Sequence, residues 1–209
     1  MRFRDYKIFR AGNFYHVYNR GNARKDIFHD DSDYIQFLKR LKIVLGMVPP
    51  QLISTTDKKR RILTLTSLPR RAFTIAAYCL MSNHFHFLIK QNSEVGVDRL
   101  ISKLCTSYAA YYNRKYEHVG HVFQDTFKAK VIDLDEYIIY LSAYIHNNPP
   151  NIFAYPYSSF LDYIANRGGT ICDQTPILSY FNDKKSYKDF VLGYNQKMEA
   201  RISDLLFDE

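Results

Sequence analysis

The sequence predicts an α+β fold: an antiparallel sheet of the ferredoxin-like or RRM-like kind, with helices packed on it. The first reason is the order of the elements, which run strand, helix, strands, helix, strand, helix. The second is a pair of apolar strands separated only by Ser82 and Asn83, because so short a connection joins antiparallel neighbours. We expect one domain over residues 1–165, with a basic insert at about 50–71, and a C-terminal helical extension over residues 166–209.

Each element is predicted from its own residue pattern. Runs of apolar, aromatic and β-branched residues predict strands at 14–18, 73–81, 84–91 and 127–132. Apolar residues at helical spacing predict helices at about 32–46, 96–116, 134–148, 157–165 and 186–206. Asp133 is the expected N-cap of the third of these helices.

The insert at about 50–71 carries basic residues at both ends. Lys58–Arg61 precede an apolar run, and Arg70 and Arg71 follow it. Such a segment suits a solvated hairpin tip and a nucleic-acid contact equally well, and the sequence leaves both interpretations open.

The amino-acid composition favours some classes of function and argues against others. The 29 Lys and Arg against 21 Asp and Glu give a net charge of +8, which is compatible with a polyanionic partner. The 18 Tyr and 15 Phe include candidates for stacking on unpaired bases, although most are expected in the core. Three cysteines without C-x-x-C spacing argue against a disulfide framework and a zinc finger. The sequence contains no apolar run long enough to span a membrane and no N-terminal signal core. We therefore expect a cytoplasmic protein without a membrane partner. If its polyanionic partner is DNA, the protein would be associated with the nucleoid.

Two histidines stand out within the second predicted hairpin strand. Alternate side chains of a strand share a face, so His84 and His86 would lie side by side, with Phe85 and Phe87 on the other face. The pair can hold one metal ion, but two imidazoles are an incomplete site.

The predicted helix before Pro149 offers the missing groups. Tyr144 and Asn148 are four residues apart and therefore share a helix face. A tyrosine phenol can act as a nucleophile, and an asparagine carbonyl suits Mg²⁺ or Mn²⁺. Spacing alone does not choose Tyr144 over Tyr140.

A set of short segments falls in order between about residues 13 and 165. They are Tyr15–Val17, Asn19–Asn22, Asp26–Phe28, Ala77–His86, Tyr112–Arg114, Gly120–Gln124, Tyr144–Pro149 and Tyr155–Ser159. Together they resemble the single-tyrosine transposases of the HUH class, and most of all the branch associated with repetitive extragenic palindromes (REP).

The resemblance implies an activity and a site. Tyr144 is the implied nucleophile, and His84, His86 and Asn148 are the implied ligands of Mg²⁺ or Mn²⁺. The implied substrate is single-stranded DNA beside a foldback hairpin, cleaved and rejoined through a 5′-phosphotyrosine. Related transposases act as monomers or homodimers, and the sequence leaves both states open.

Further residues are predicted to support this chemistry. Arg20, Arg114, Lys128 and Lys130 are candidates for holding the DNA backbone, and the alternative for each is solvated surface charge. From His16, His121 and His146 we expect structural hydrogen bonds or support of the site. The chain departs from its relatives at Asp125 and Thr126, where glycine and a basic residue are common.

Two other interpretations remain. One is a non-catalytic module that binds single-stranded nucleic acid on the same sheet. The other is a metal-dependent hydrolase that activates water, with Tyr144 as packing. The combination of His84, His86, Tyr144 and Asn148 favours the enzyme, because a pure binding module does not need it.

Overall fold

A computed structural model describes residues 9–54, 62–132, 134–165 and 167–203. The strands are β1 (Phe14–Arg20), β2 (Gln51–Ser54), β3 (Ile62–Leu65), β4 (Phe73–Met81), β5 (His84–Gln91) and β6 (Lys128–Ile132). The helices are α1 (Asp31–Val44), α2 (Val97–Lys115), α3 (Asp135–His146), α4 (Phe160–Tyr163), α5 (Thr175–Leu178), α6 (Lys184–Leu192) and α7 (Gln196–Arg201).

Four strands form one antiparallel sheet in the order β4-β5-β1-β6. Helix α1 follows β1, and α2 follows β5, so these elements make a β-α-β-β-α-β unit with its first and third strands at the centre. The predicted ferredoxin-like α+β class is confirmed. The hairpin strands β4 and β5 begin and end where the sequence pattern places them.

The insert adds a separate hairpin, because β2 and β3 pair only with each other. Strand β3 lies beside α1. Residues 55–61, which include the first basic cluster, lie outside the described residues. Arg70 and Arg71 are exposed, so both interpretations of the insert stay open.

Both faces of the sheet are covered. The phenylalanine face, defined by Phe85, Phe87 and Ile89, packs against α1 and α2 in one apolar core. The histidine face, defined by His84, His86 and Leu88, is covered by α3 and the C-terminal helices around a second core. The alternation of β5 therefore separates two layers of the molecule.

The prediction of a single C-terminal helix at 186–206 is wrong. The chain forms α6 and α7 instead, separated by Gly193, Tyr194 and Asn195. The Asn195 side chain accepts hydrogen bonds from two backbone N–H groups of α7, those of Lys197 and Met198, and so starts a new helix. Because the helical spacing of apolar residues continues across this break, the sequence pattern predicted one helix.

The C-terminal helices share the second core with the sheet. Tyr187 and Val191 of α6 are buried together with Leu141 and Ile145 of α3. The predicted division into residues 1–165 and 166–209 stays a prediction. Asp133, the expected N-cap, lies outside the described residues, and the N-cap of α3 is Leu134.

Candidate functional site

The register of the sheet assembles the histidine face. Strand β1 pairs with β5 so that Tyr18 lies opposite His86 and Arg20 lies opposite His84. Directly paired residues of antiparallel strands share a face, so His16, Tyr18 and Arg20 join the two histidines. The His84 and His86 rings are nearly perpendicular, with centroids 5.0 Å apart.

Each imidazole is oriented through its Nδ1 atom. His84 Nδ1 lies 2.6 Å from Asn83 Oδ1, and since an amide oxygen only accepts, this nitrogen carries the proton. His86 Nδ1 lies 2.9 Å from His16 Nε2. When His86 Nδ1 donates in this pair, both rings present Nε2 lone pairs for a metal, supported from behind as metal-bound histidines usually are.

The environment of His86 keeps its ring neutral. The side chain is fully buried, and this burial, reinforced by His16 and His84, holds the pKa of His86 well below its ordinary value. A neutral imidazole is the form that binds metal.

The two candidate tyrosines of α3, Tyr140 and Tyr144, have different neighbours. The Tyr144 ring stands edge-on to His86 at a centroid distance of 5.6 Å and to His16 at 6.2 Å. Tyr140 packs against Phe190 instead, and its hydroxyl accepts a hydrogen bond of 3.1 Å from Arg201. Of the pair that spacing left open, Tyr144 is the one beside the histidines.

Asn148 completes the cluster just beyond the end of α3. Its Nδ2 donates to the Tyr144 carbonyl at 3.2 Å, which turns Oδ1 towards His84 Nε2 at 3.4 Å. The fold thus brings the four predicted residues His84, His86, Tyr144 and Asn148 together.

This donor set fits a divalent ion. Two ligands at right angles around Mg²⁺, each about 2.1 Å from it, would be about 3 Å apart. The 3.4 Å between His84 Nε2 and Asn148 Oδ1 is close to that value. In the described part of the chain, no group of three or more His, Cys, Asp and Glu side chains could hold a metal. A metal ion held here would therefore need a third protein ligand of another type, such as the Asn148 amide.

Hydrogen bonds to the C-terminal segment fix the orientation of α3. His146 is buried between Ser159 and Tyr187, with 2.7 Å from Nε2 to Ser159 Oγ and from Nδ1 to the Tyr187 hydroxyl. Burial lowers the pKa of His146 to about 3, so it bonds as a neutral ring. Asn147 donates to the Val191 carbonyl at 2.8 Å. Sequence reasoning assigned Tyr187 no role, since its partner His146 is 41 positions away in the chain.

The predicted DNA-binding residues divide into two groups. Lys128 and Lys130 pair with Tyr18 and His16, and therefore share the histidine face with Arg20. Arg114 lies near the end of α2, in the layer on the other face of the sheet. The sheet brings three of the four together and leaves Arg114 apart.

Comparison with known proteins adds to this geometry. Residues 51–148 match the family model described as "Transposase IS200 like". The resemblance to the single-tyrosine transposases is confirmed. The matched stretch contains His84, His86, Tyr144 and Asn148. No curated protein sequence matches the chain.

Solved structures support the fold. A REP-associated tyrosine transposase bound to a REP hairpin matches with a TM-score of 0.53 and 16% identity, over 83% of this chain and 94% of that one. A candidate transposase from Deinococcus radiodurans R1 matches with a TM-score of 0.40 and 12% identity, over 70% and 96%. The first likeness shows a common fold, and the second is too weak to carry an argument. Within the described residues, no helix is both long and apolar enough to cross a membrane.

Proposed function

We propose that this transposase-like protein cleaves and rejoins single-stranded DNA through a covalent bond to Tyr144, with Mg²⁺ or Mn²⁺ as cofactor. The observation that carries the proposal is the convergence of Tyr144 from α3, and of Asn148 just beyond its end, on His84 and His86 from β5. Neither a nucleic-acid-binding module nor a core-packing tyrosine needs this combination of nucleophile and metal-binding donors.

The cofactor would be held by His84, His86 and Asn148. When bound, a divalent ion polarises the scissile phosphate and stabilises charge that develops on its oxygens. His16 and Asn83 keep the two imidazoles in place through their Nδ1 atoms.

The proposed reaction is a transesterification at phosphorus. The Tyr144 oxygen forms a bond to the scissile phosphorus as the bond from phosphorus to the 3′ oxygen breaks. The phenol proton is released, and the leaving 3′ oxygen takes up a proton. The product is a 5′-phosphotyrosine and a free 3′-OH, which attacks in the reverse sense to reseal a strand. No external energy source is needed, because one phosphodiester replaces another.

The substrate is proposed from the charge on the histidine face and from the structural relative. Arg20, Lys128 and Lys130 place three cations on that face, where the phosphates of a strand bound beside the two histidines would meet them. The relative is bound to a REP hairpin. We propose single-stranded DNA flanking a foldback hairpin, bound by a monomer or a homodimer.

Labelled hairpin DNA with single-stranded flanks and Mn²⁺ or Mg²⁺ tests the proposal. The wild-type chain is expected to form a covalent adduct that survives denaturation, and Tyr144→Phe is expected to abolish it. Tyr140→Phe is the matched control, because Tyr140 lies on the same helix but contacts Phe190 and Arg201. Cleavage that persists in Tyr144→Phe would favour a hydrolase that activates water. DNA binding without cutting would favour the non-catalytic module.

A further inference from the structure

The Tyr187 hydroxyl, on α6, lies between two side chains of α3 that are one helical turn apart. Its oxygen is 3.1 Å from Ser142 Oγ and 2.7 Å from His146 Nδ1. All three side chains are fully buried, where a polar group without a partner costs free energy. Because residues four apart share a helix face, this one hydroxyl bridges two positions on the same face of α3.

The direction of each hydrogen bond around this bridge follows from its neighbours. The Ser142 hydroxyl donates to the Ile139 carbonyl at 2.7 Å, so Ser142 Oγ accepts the proton of the Tyr187 hydroxyl. The Tyr187 oxygen then accepts from His146 Nδ1–H, and His146 Nε2 accepts from the Ser159 hydroxyl at 2.7 Å. The neutral imidazole and the three hydroxyls therefore form one directed chain of hydrogen bonds.

The bridge limits the rotation of α3 about its own axis. Ser142 and His146 stand two residues before and two residues after Tyr144. Two residues correspond to about 200° around a helix, so Tyr144 points away from the bridge, towards His86 and His16. A rotation of about 10° would move a side-chain tip about 6 Å from the axis by about 1 Å. A nucleophile displaced by this distance reacts much more slowly.

We propose that Tyr187 is a positioning residue for Tyr144, because its hydroxyl holds α3 in the rotation that directs the nucleophile towards the proposed metal ligands. The inference rests on the proposed function, since it gives Tyr187 a part in the same reaction. Tyr187 lies outside residues 51–148, which match the transposase model, so the C-terminal segment becomes a part of the reacting site. The bond from Asn147 to the Val191 carbonyl also joins α3 to α6 and limits the movement that loss of the bridge allows.

Tyr163 of α4 provides a matched control within the same core. Its ring centroid is 4.7 Å from that of Tyr187 and 5.0 Å from that of His146. Its hydroxyl donates to the Ala76 carbonyl of β4, at 2.7 Å, rather than to α3. Tyr163→Phe and Tyr187→Phe therefore each remove one buried hydroxyl from this cluster, but Tyr187→Phe alone breaks the bridge.

Single-turnover cleavage of labelled hairpin DNA with single-stranded flanks and Mn²⁺ tests the inference in the full-length chain. At saturating DNA, we expect Tyr187→Phe to lower the cleavage rate constant about tenfold and to leave the Kd for the same DNA unchanged. Tyr163→Phe should cleave at the wild-type rate. In urea unfolding the two variants should lose similar amounts of stability, since each loses one buried hydrogen bond.

The control separates positioning from a general loss of stability. Equal losses of rate in both variants would overturn the inference, since Tyr187 would then only stabilise the fold. An unchanged rate in Tyr187→Phe, or a loss confined to the Kd, would overturn it as well. If the wild-type chain does not cleave, the proposed function is rejected, and hydrogen exchange of the α3 amides decides whether Tyr187 holds the helix. Faster exchange in Tyr187→Phe than in Tyr163→Phe supports that hold, and equal exchange in the two variants rejects it.

Discussion

Neighbouring residues of strand β5 point to opposite faces of the sheet and have different surroundings. On the phenylalanine face, Phe85 and Phe87 are completely buried and contact Phe37 of α1. On the histidine face, His84 is half-buried, and His86 is buried beside the polar partner His16. A period of two therefore separates residues that stabilise the sheet from residues of the proposed metal site.

Two buried ionisable groups, Asp33 on the side of the phenylalanine face and His86 on the histidine face, are held in different charge states. Asp33, at the start of α1, is fully buried and forms a 2.7 Å ion pair with Lys115 at the end of α2. Tyr111 and Tyr116 donate to the same carboxylate at 2.9 and 2.7 Å. The group is charged and saturated with donors. His86, by contrast, is kept neutral, which is the form that the proposed metal site requires.

The largest effect is expected from truncation on the phenylalanine face. Phe87→Ala should lower the free energy of unfolding by about 3–5 kcal/mol, because it leaves a cavity in a closely packed aromatic cluster. Urea unfolding measures the loss, and Phe87→Leu should lose less. DNA cleavage per folded molecule should stay near the wild-type value. A large loss of specific activity in fully folded Phe87→Ala would mean that the two faces are coupled.

On the histidine face, we expect a substitution to lower activity rather than stability. His84→Ala should lower the single-turnover cleavage rate by about 10²–10³-fold, because the scissile phosphate loses much of its charge stabilisation. Its free energy of unfolding should change by less than about 1 kcal/mol, since His84 is half-buried at a strand end. Cleavage within a few-fold of wild type would remove His84 from the proposed metal site.

A smaller, pH-dependent effect is expected at Asp33. Burial raises the pKa of this carboxyl, but hydrogen bonds from Lys115, Tyr116 and the His29 backbone lower it more, so it stays below its ordinary value. A lowered pKa means that the stabilisation is present above the unfolded pKa, about 3.9, and is lost as the pH falls through the folded pKa.

Asp33→Asn tests this sign. The variant should be less stable at neutral pH by about 1–3 kcal/mol, because Lys115 loses its buried anionic partner. The difference from wild type should shrink as the pH is lowered from 5 to about 2, in thermal unfolding. Asp31→Asn is the control, since Asp31 is exposed in the same turn. A difference that grows on acidification would contradict the assignment.

Much of this molecule follows from local pattern. The period-two alternation places His84 and His86 on one face and Phe85 and Phe87 on the other, and the structure agrees. The bounds of β4 and β5 are also predicted, because a tight turn separates two apolar runs. The break between α6 and α7 was missed, since apolar spacing alone does not register a second N-cap at Asn195.

By itself, the sequence determined the α+β class, the histidine pair and the resemblance to a transposase family, because short-range spacing and motif order carry this information. The resemblance implied Tyr144, but Tyr140 and Tyr144 are equivalent in spacing, so the physical reason for the choice comes only from the tertiary structure. The two tyrosines differ in their packing. Tyr140 contacts Phe190 of α6 and Arg201 of α7, whereas Tyr144 lies beside His16 and His86, which the register of β1 against β5 brings together. The loop before β6 is likewise placed by tertiary contacts, because its hydrogen bonds to Asn19 and Arg20 join residues more than 100 positions apart in the chain.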